Sequence, residues 1–126
     1  MSDILIYERI GNIIHAKINA ETIFSDEQIT TIQKKVYELI DKYKKIQLLL
    51  DLTNVQDIGS PFLPLLLNIK LKIAETDGKF KLTNLQMRLS ELIELTQLDK
   101  SLDIYSTLEK ALISFSLDIF NNTKTD

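Results

Sequence analysis

The sequence predicts a single α/β domain with a mixed, mainly parallel β-sheet of about five strands, an N-terminal hairpin and about four α-helices. Two short isoleucine-rich runs flank the turn residues Gly11 and Asn12, which is typical of a hairpin. After them, strand-like apolar runs alternate with helical patterns, as in parallel sheets with right-handed crossovers. A length of 126 residues, 44% hydrophobic and 26% charged, fits one globular domain. We expect this domain to span residues 1–126, with a polar tail from about residue 121.

Composition and charge exclude several classes of protein. A formal net charge of −3 and a pI near 5.2 give no broad electrostatic reason for binding nucleic acid or an anionic membrane. The chain has no cysteine, which excludes disulfides and zinc–thiolate sites. No apolar run approaches the roughly 18 residues of a membrane span, and the N-terminus does not read as a targeting signal. We expect a soluble, cytoplasmic protein with no direct nucleic-acid or membrane partner.

The first two strands are predicted at residues 3–7 and 13–19, and the second carries the only histidine, His15. Base chemistry and metal binding both need a constellation of side chains, and the sequence offers His15 no Cys or carboxylate neighbour. We therefore expect His15 to be a partly exposed strand residue without a catalytic or metal-binding role.

A capping box at Ser25 and Gln28 predicts the start of the first helix, which an apolar stripe continues to about Tyr43. The dense lysines at its end match the negative end of the helix dipole, and this interpretation is favoured over a binding patch. They are Lys42, Lys44 and Lys45.

A continuous apolar run at residues 46–52 predicts a central strand covered on both faces and parallel to the second strand. Asp51 interrupts this run near its carboxyl end, and we expect it to anchor the following loop. A single acid does not make an acid/base pair.

The second half of the chain predicts two further strand and helix pairs after a second helix that ends at Asp77 and Gly78. Residues 79–83 alternate and predict a strand with one solvated face. Asn84 is expected to cap the third helix. A short strand at residues 102–105 precedes a second capping box, Ser106 with Glu109, which opens the last helix.

The junction between the central strand and the second helix, residues 55–64, is the candidate functional stretch. Ser60 stands at this junction, and Pro61 after it suits the first helical position. Pro64 lacks an N–H and disfavours helical geometry at Leu63, so we expect a distorted helix entry. The residues alone leave two interpretations of Ser60 open, a simple helix cap or a phosphorylation switch at the carboxyl edge of the sheet.

The sequence offers little material for an enzyme. Its three glycines, Gly11, Gly59 and Gly78, all lie at predicted turns, so there is no phosphate-binding loop. There is no second histidine for a triad or metal site, and no close acid pair. We expect no catalytic residues, no metal and no cofactor.

Residues 48–60, Leu-Leu-Leu-Asp-Leu-Thr-Asn-Val-Gln-Asp-Ile-Gly-Ser, resemble the signature of the STAS domain, the family of bacterial anti-sigma factor antagonists. In that family an apolar strand leads through Asp-Leu-Ser and a Val to Ile-Asp-Ser-Ser-Gly-Leu-Gly. Residues 78–85 resemble the family's fourth strand, residues 92–100 its Leu-Thr-Gly-Leu-Asp segment, and residues 105–112 the start of its final helix.

The resemblance implies a function in transcription control and places Ser60 on the family's phosphorylated serine. The unphosphorylated protein would bind an anti-sigma factor that is also a serine kinase, and so free the sigma factor. Phosphorylation would dissociate the complex, and a serine phosphatase would reset it. The segment expected to bind the partner comprises Asp57, Ile58, Gly59, Ser60, Pro61 and Phe62.

This sequence departs from the family pattern around the serine. Gly59 stands where the family has Asp, and Pro61, Phe62 and Pro64 replace small residues. Phe62 is either a partner-binding anchor or a core residue. These departures keep two alternatives open: a phosphorylation-independent interaction or scaffold module of a signalling or transport complex, and a small-ligand sensor that uses the crevice near Ser60.

Overall fold

The computed structural model describes residues 3–124, with side chains as far as Asp118. Its elements in chain order are β1 (Leu5–Ile10), β2 (Ile13–Ile18), β3 (Thr22–Ile23), α1 (Asp26–Lys42), β4 (Gln47–Asp51), β5 (Asp57–Ile58), α2 (Phe62–Ala74), β6 (Lys79–Thr83), α3 (Met87–Leu95), β7 (Ile104–Tyr105) and α4 (Leu108–Lys124). A 3₁₀ turn, Leu98–Lys100, follows α3.

The strands form a mixed five-stranded sheet in the order β1-β2-β4-β6-β7. The β1–β2 hairpin is antiparallel, and the β2–β4, β4–β6 and β6–β7 pairs are parallel. The predicted fold class is therefore confirmed. Two short strands, β3 and β5, were not predicted, and they pair in parallel as a separate two-stranded sheet. Strands of two residues are too short to show a period of alternation.

Helices cover both faces of the sheet, and the central strand β4 is buried on each side. Leu48 and Leu50 belong to the main core with the apolar stripes of α1, α2 and α3, whereas Leu49 packs against Ala111 and Phe115 of α4. The continuous apolar run predicted this double burial correctly. Among the described residues, no helix combines the length and apolar character needed to cross a bilayer.

Helix α1 begins at the predicted capping box, with Ser25 Oγ accepting from the Gln28 N–H at 3.1 Å and Gln28 Oε1 accepting from the Ser25 N–H at 3.1 Å. Two other predicted helix starts are wrong. Helix α4 is capped by Thr107, whose Oγ1 accepts from the Lys110 N–H, and not by a Ser106 box. Asn84 does not cap α3, whose N-cap is Gln86.

The end of α4 also differs from the prediction of a polar tail from about residue 121. The helix continues to Lys124, and the last two residues of the predicted tail lie outside the described residues. The helix was expected to end before Asn121 because residues 121–124 are polar, and a polar run alone does not fix where a helix ends.

The predicted solvated face of β6 is wrong at Lys81, whose side chain is only 2% exposed. Its Nζ lies 2.7 Å from Asp118 Oδ2 and donates to Ser114 Oγ at 2.9 Å. It also lies over the rings of Tyr105 and Phe115, at 5.1 and 4.8 Å from their centroids. The alternation of polar and apolar residues in β6 predicted that Lys81 faces solvent. This local pattern contains no information on α4, which covers that face.

Lys81 is a buried cation that joins the sheet to α4. Burial by itself would lower the pKa of Lys81, but its hydrogen bond to Asp118 and the nearby Asp103, at 3.4 Å, raise it above the ordinary value. The ammonium is therefore charged at neutral pH. Both carboxylates are partly exposed, which reduces their own desolvation cost.

We predict that Lys81→Ala lowers the free energy of unfolding by about 2 to 3 kcal/mol, because it leaves Asp118 unpaired and opens a cavity under α4. Lys81→Met retains the apolar stem and should lose less. Urea denaturation measures both. Lys79→Ala, at an exposed position of the same strand, is the matched control and should change stability by no more than about 0.5 kcal/mol. Equal losses at positions 79 and 81 would contradict the assignment.

Candidate functional site

The loop after β4 carries the candidate site and is fixed by backbone hydrogen bonds to the segment around β3. The N–H groups of Gln56 and Asp57 donate to the Glu21 carbonyl at 2.7 and 3.2 Å, and the Gly59 N–H donates to the Ile23 carbonyl at 2.8 Å. The β3–β5 pair is therefore the structure that sets the position of the chain one residue before Ser60.

Asp51 anchors the first part of the same loop, as predicted. Its Oδ1 accepts from the Thr53 N–H at 3.0 Å, from the Thr53 hydroxyl at 2.7 Å and from Asn84 Nδ2 at 3.2 Å. The left-handed backbone of Asn84, φ 58°, is a conformation that asparagine tolerates better than most residues. One carboxylate thus ties the end of β4, the following loop and the loop before α3 together.

His15 is buried, at 7% exposure, so the prediction of a partly exposed residue is wrong. Its Nε2 lies 2.8 Å from Asp51 Oδ2 and its Nδ1 lies 3.3 Å from Glu8 Oε1. The carboxylate partners are 36 and 7 residues away in sequence, and the sheet register that brings them to His15 could not be read from the sequence alone.

The protonation states of this pair follow from the hydrogen bond between them. The bond to Asp51 raises the pKa of His15 above 6.5, and it outweighs burial, which acts in the opposite direction. Burial would raise the pKa of Asp51, but hydrogen bonds from His15, Thr53 and Asn84 together hold it well below the usual range of a carboxyl. His15 thus lies between two carboxylates, Asp51 and Glu8, and among the described residues no serine or other nucleophile contacts either ring nitrogen, as a Ser-His-Asp triad would require.

Ser60 is exposed in the turn before α2, and its hydroxyl forms no hydrogen bond with any of the described residues. The helix begins at Phe62, and the position of the N-cap is taken by Pro61 with right-handed helical dihedrals, φ −65° and ψ −16°. Of the two interpretations left open for Ser60, the one in which its hydroxyl caps the helix is therefore wrong. Ser60 contributes only its backbone carbonyl, which accepts from the Leu63 N–H at 3.4 Å.

The start of α2 has few backbone donors to offer an anion. The Phe62 N–H donates to the Gly59 carbonyl at 3.1 Å and the Leu63 N–H donates to Ser60, while Pro61 and Pro64 have no N–H. Pro64 falls in the first turn, where a missing N–H breaks no helical bond, so the expected distortion of the entry does not interrupt the helix.

The six residues predicted to bind a partner divide into exposed and buried members. Ser60 and Pro61 are exposed, and Asp57 and Gly59 are half-buried. Phe62 is fully buried and Ile58 is 6% exposed, which supports the core-packing alternative for Phe62 and leaves both with little surface for a partner.

Three residues that the sequence analysis did not single out lie at the same end of the sheet. Phe24 is 54% exposed, and its ring lies 3.5 Å from where a Cβ on Gly59 would stand. Arg88 Nε lies 2.7 Å from Asp57 Oδ1, and the neighbouring Met87 is 76% exposed. A large apolar residue before a capping box is usually explained as a helix staple, so Phe24 gave no signal of its own. We call this surface the Ser60 face: Phe24, Asp57, Ser60, Pro61, Met87 and Arg88.

The described residues contain no group of three or more His, Asp or Glu side chains placed to hold a metal ion. The Ser60 face offers one acid, one arginine, one free hydroxyl and apolar surface. This is a composition suited to contact with another protein.

Comparison with known families decides the classification. The model of the STAS domain matches residues 2–111. The chain belongs to the STAS domain family. No curated protein matches it at a significant level.

Solved structures of STAS proteins share this fold. The STAS domain protein of Planctomyces limnophilus superposes with a TM-score of 0.80 at 20% identity, over 89% of this chain and 97% of its own. A putative anti-sigma factor antagonist of Thermotoga maritima has a TM-score of 0.73 at 24% identity, over 87% of this chain and 92% of its own. The unphosphorylated form of SpoIIAA of Bacillus, an anti-sigma factor antagonist, has a TM-score of 0.73 at 12% identity, covering 89% and 96%. At these identities the likeness is one of fold.

The His15–Asp51 pair predicts a pH dependence of stability in this STAS domain. Because the folded-state pKa of His15 is raised, its stabilising contribution is fully present below about pH 6.5 and is lost as the pH rises through the folded value. Urea denaturation between about pH 6 and 8.5 should show a free energy of unfolding that falls with pH. No other histidine titrates in this window.

His15→Gln is the control, since glutamine can still hydrogen bond but does not titrate. This variant should be less stable by about 1 to 3 kcal/mol at the acid end, with a flatter pH profile. A wild-type profile that rises with pH, or an equal slope in both proteins, would contradict the assignment.

Proposed function

We propose that this STAS domain is an anti-sigma factor antagonist that binds an anti-sigma factor with serine kinase activity through the Ser60 face. Phosphorylation of Ser60 releases the partner, and a phosphatase restores binding. The domain itself is a ligand and a substrate, with no catalysis of its own. The observation that carries the proposal is the Ser60 hydroxyl, which is exposed and without a hydrogen bond to the described residues, in a loop fixed by backbone bonds.

In the proposed switch, the negative charge of a phosphate on Ser60 weakens the contact with the partner. A phosphate adds about −1.5 to −2 charges. The α2 dipole favours an anion at this end, but the Phe62 and Leu63 N–H groups are already bonded, Pro61 has no N–H, and Arg88 is already paired with Asp57. The phosphate therefore remains at the surface, where it repels acidic groups and must be desolvated on contact. A hundredfold loss of affinity corresponds to about 2.7 kcal/mol, which one such charge can supply.

Gly59 bears on how well a kinase recognises Ser60. The family pattern has Asp at this position. The backbone of Gly59 lies outside the left-handed region, and a Cβ added to Gly59 would stand 3.5 Å from Phe24. An ordinary van der Waals distance leaves room for a side chain. Gly59→Asp should therefore fold, and it restores the acidic neighbour that the resemblance leads us to expect.

A second candidate function is a phosphorylation-independent interaction module that uses the same face. The observation that favours it is the burial of Phe62, two residues after the serine. Phe62 is fully buried and its N–H is bonded to Gly59, so Ser60 cannot be drawn into an extended substrate conformation without extracting that ring, at a cost of about 1.5 to 3 kcal/mol. The two candidates differ only in whether Ser60 is modified.

Phosphorylation of Ser60 is tested with the kinase partner and ATP, followed by mass spectrometry. We expect one phosphate on the wild type, on Ser60, and none on Ser60→Ala. Ser60→Ala should bind the partner, whereas Ser60→Asp should bind about a hundredfold more weakly. Ser116→Asp, at an exposed serine of α4, is the matched control and should bind normally. Circular dichroism checks that each variant is folded.

One outcome separates the candidates, and another tests whether the contact surface lies at Ser60. If Ser60 receives no phosphate and Ser60→Asp binds like the wild type, the switch is excluded and the phosphorylation-independent module stands. If Ser116→Asp loses as much affinity as Ser60→Asp, the loss is a general effect of charge and does not locate the contact surface.

The apolar part of the Ser60 face predicts a loss of binding in the double variant Phe24→Ser/Met87→Ser. Exposed large apolar side chains are frequent anchors of protein contacts, and losing two should weaken partner binding by at least about tenfold. The matched control is Leu71→Ser/Leu95→Ser, which removes two apolar side chains that are 63% and 80% exposed. Isothermal titration calorimetry measures both. Equal affinities of the two double variants would refute the assignment of the face.

A further inference from the structure

A cavity of about 320 Å³ lies between the end of α1 and the β1–β2 hairpin, and basic side chains dominate its lining. Arg9 comes from β1, Lys42 is the last residue of α1, and Lys44 and Lys45 belong to the connection that leads to β4. Tyr43 lies among them. We call this cavity the basic pocket. It falls within the volume range of small-molecule sites.

The basic pocket concentrates positive charge in a chain that is acidic overall. Four of the 15 basic residues line it, and none of its lining residues is acidic. Within the described residues, none of the four forms an ion pair with a carboxylate. Like charges held together repel each other, and an anion bound between them would remove this repulsion.

The dipole of α1 explains only part of this cluster. The negative end of the helix favours Lys42, Lys44 and Lys45, as the sequence analysis inferred. It gives no reason for Arg9, which the hairpin brings from another element with its guanidinium 5.8 Å from the centre of the Tyr43 ring. Arg9 is therefore the observation that distinguishes a binding pocket from a solvated helix end.

Lys45 adds a fourth basic side chain to the pocket wall. Its backbone has φ 51°, in the left-handed region, and forms the turn between α1 and β4. This turn brings the side chain of Lys45 to the same wall as Lys42 and Lys44.

Tyr43 narrows the class of ligand. Arg9 and Lys42 already lie against its ring, at 5.8 and 5.3 Å from the centroid, and Lys42 Nζ donates to the Tyr7 hydroxyl at 3.2 Å. A nucleobase stacking on this ring would have to compete with these two cations, whereas the guanidinium and ammonium groups match phosphate oxygens. The cavity suits a compact anion better than a large organic ligand.

We propose that the basic pocket binds a compact anion with two or more phosphate groups, which is either a free phosphate compound or the headgroup of a lipid. The pocket lies beside Gln47, at the amino end of β4, whereas Asp51 at the other end supports the Ser60 loop. Four residue steps of a strand separate these two positions by about 13 Å. The anion would therefore bind at the end of the sheet opposite the Ser60 face and independently of it.

The test titrates the whole chain with inorganic tripolyphosphate in a calorimeter and measures its co-sedimentation with phosphatidylcholine vesicles, with or without phosphatidylinositol bisphosphate. The pocket variant is Arg9→Gln/Lys44→Gln. The control variant is Lys34→Gln/Lys110→Gln, which removes the same charge at two exposed positions outside the pocket. Circular dichroism confirms that both variants are folded.

We expect saturable binding at one site per chain that the pocket variant weakens by at least about tenfold and the control variant leaves unchanged. If tripolyphosphate binds in this way, the ligand is a free phosphate compound. If only the phosphoinositide vesicles bind in this way, the ligand is a lipid headgroup. The proposal is overturned if neither probe saturates, or if the two variants weaken binding equally, which would indicate attraction to net positive charge alone.

Discussion

The Asp51 carboxylate, at the end of the central strand, is the interaction on which the loop leading to the proposed Ser60 site depends. It is 2% exposed and accepts hydrogen bonds from His15 of a neighbouring strand, from Thr53 of its own loop and from Asn84 of the loop before α3. A buried charge with this many partners is stabilising only while all of them remain in place. One side chain therefore links a neighbouring strand and two loops.

The loop that Asp51 anchors is held by further backbone hydrogen bonds as it continues to Ser60. The β3–β5 pair holds Gly59, and the buried Phe62 ring fixes the first residue of α2. Ser60 is exposed between these two fixed points, so a partner would meet a preformed surface and lose little affinity to ordering it. The basic pocket lies at the other end of β4, where the α1 dipole and the hairpin bring cations together.

Periodicity and capping signals predicted the parts of this fold that are local in sequence. The Ser25 box and the apolar run of β4 are examples, since each depends on neighbours a few residues away. The errors at His15 and Lys81 have the opposite origin. Their partners, Asp51 and Asp118, are 36 and 37 residues distant and are brought near by strand register and by the docking of α4. Phe24 and Arg9 were missed for the same reason, because surfaces assembled from separate elements leave no local pattern.

Amide hydrogen exchange in Asp51→Asn tests most directly whether this carboxylate holds the loop before Ser60 in place. Asparagine keeps the shape of the side chain but removes the charge from its bonds to His15, Thr53 and Asn84. We expect faster exchange at Val55 and Gly59, whose N–H groups are bonded in the native loop, with little change at the hairpin residue Ile10. Unchanged exchange in the loop, or an equal acceleration throughout the domain, would contradict the claim.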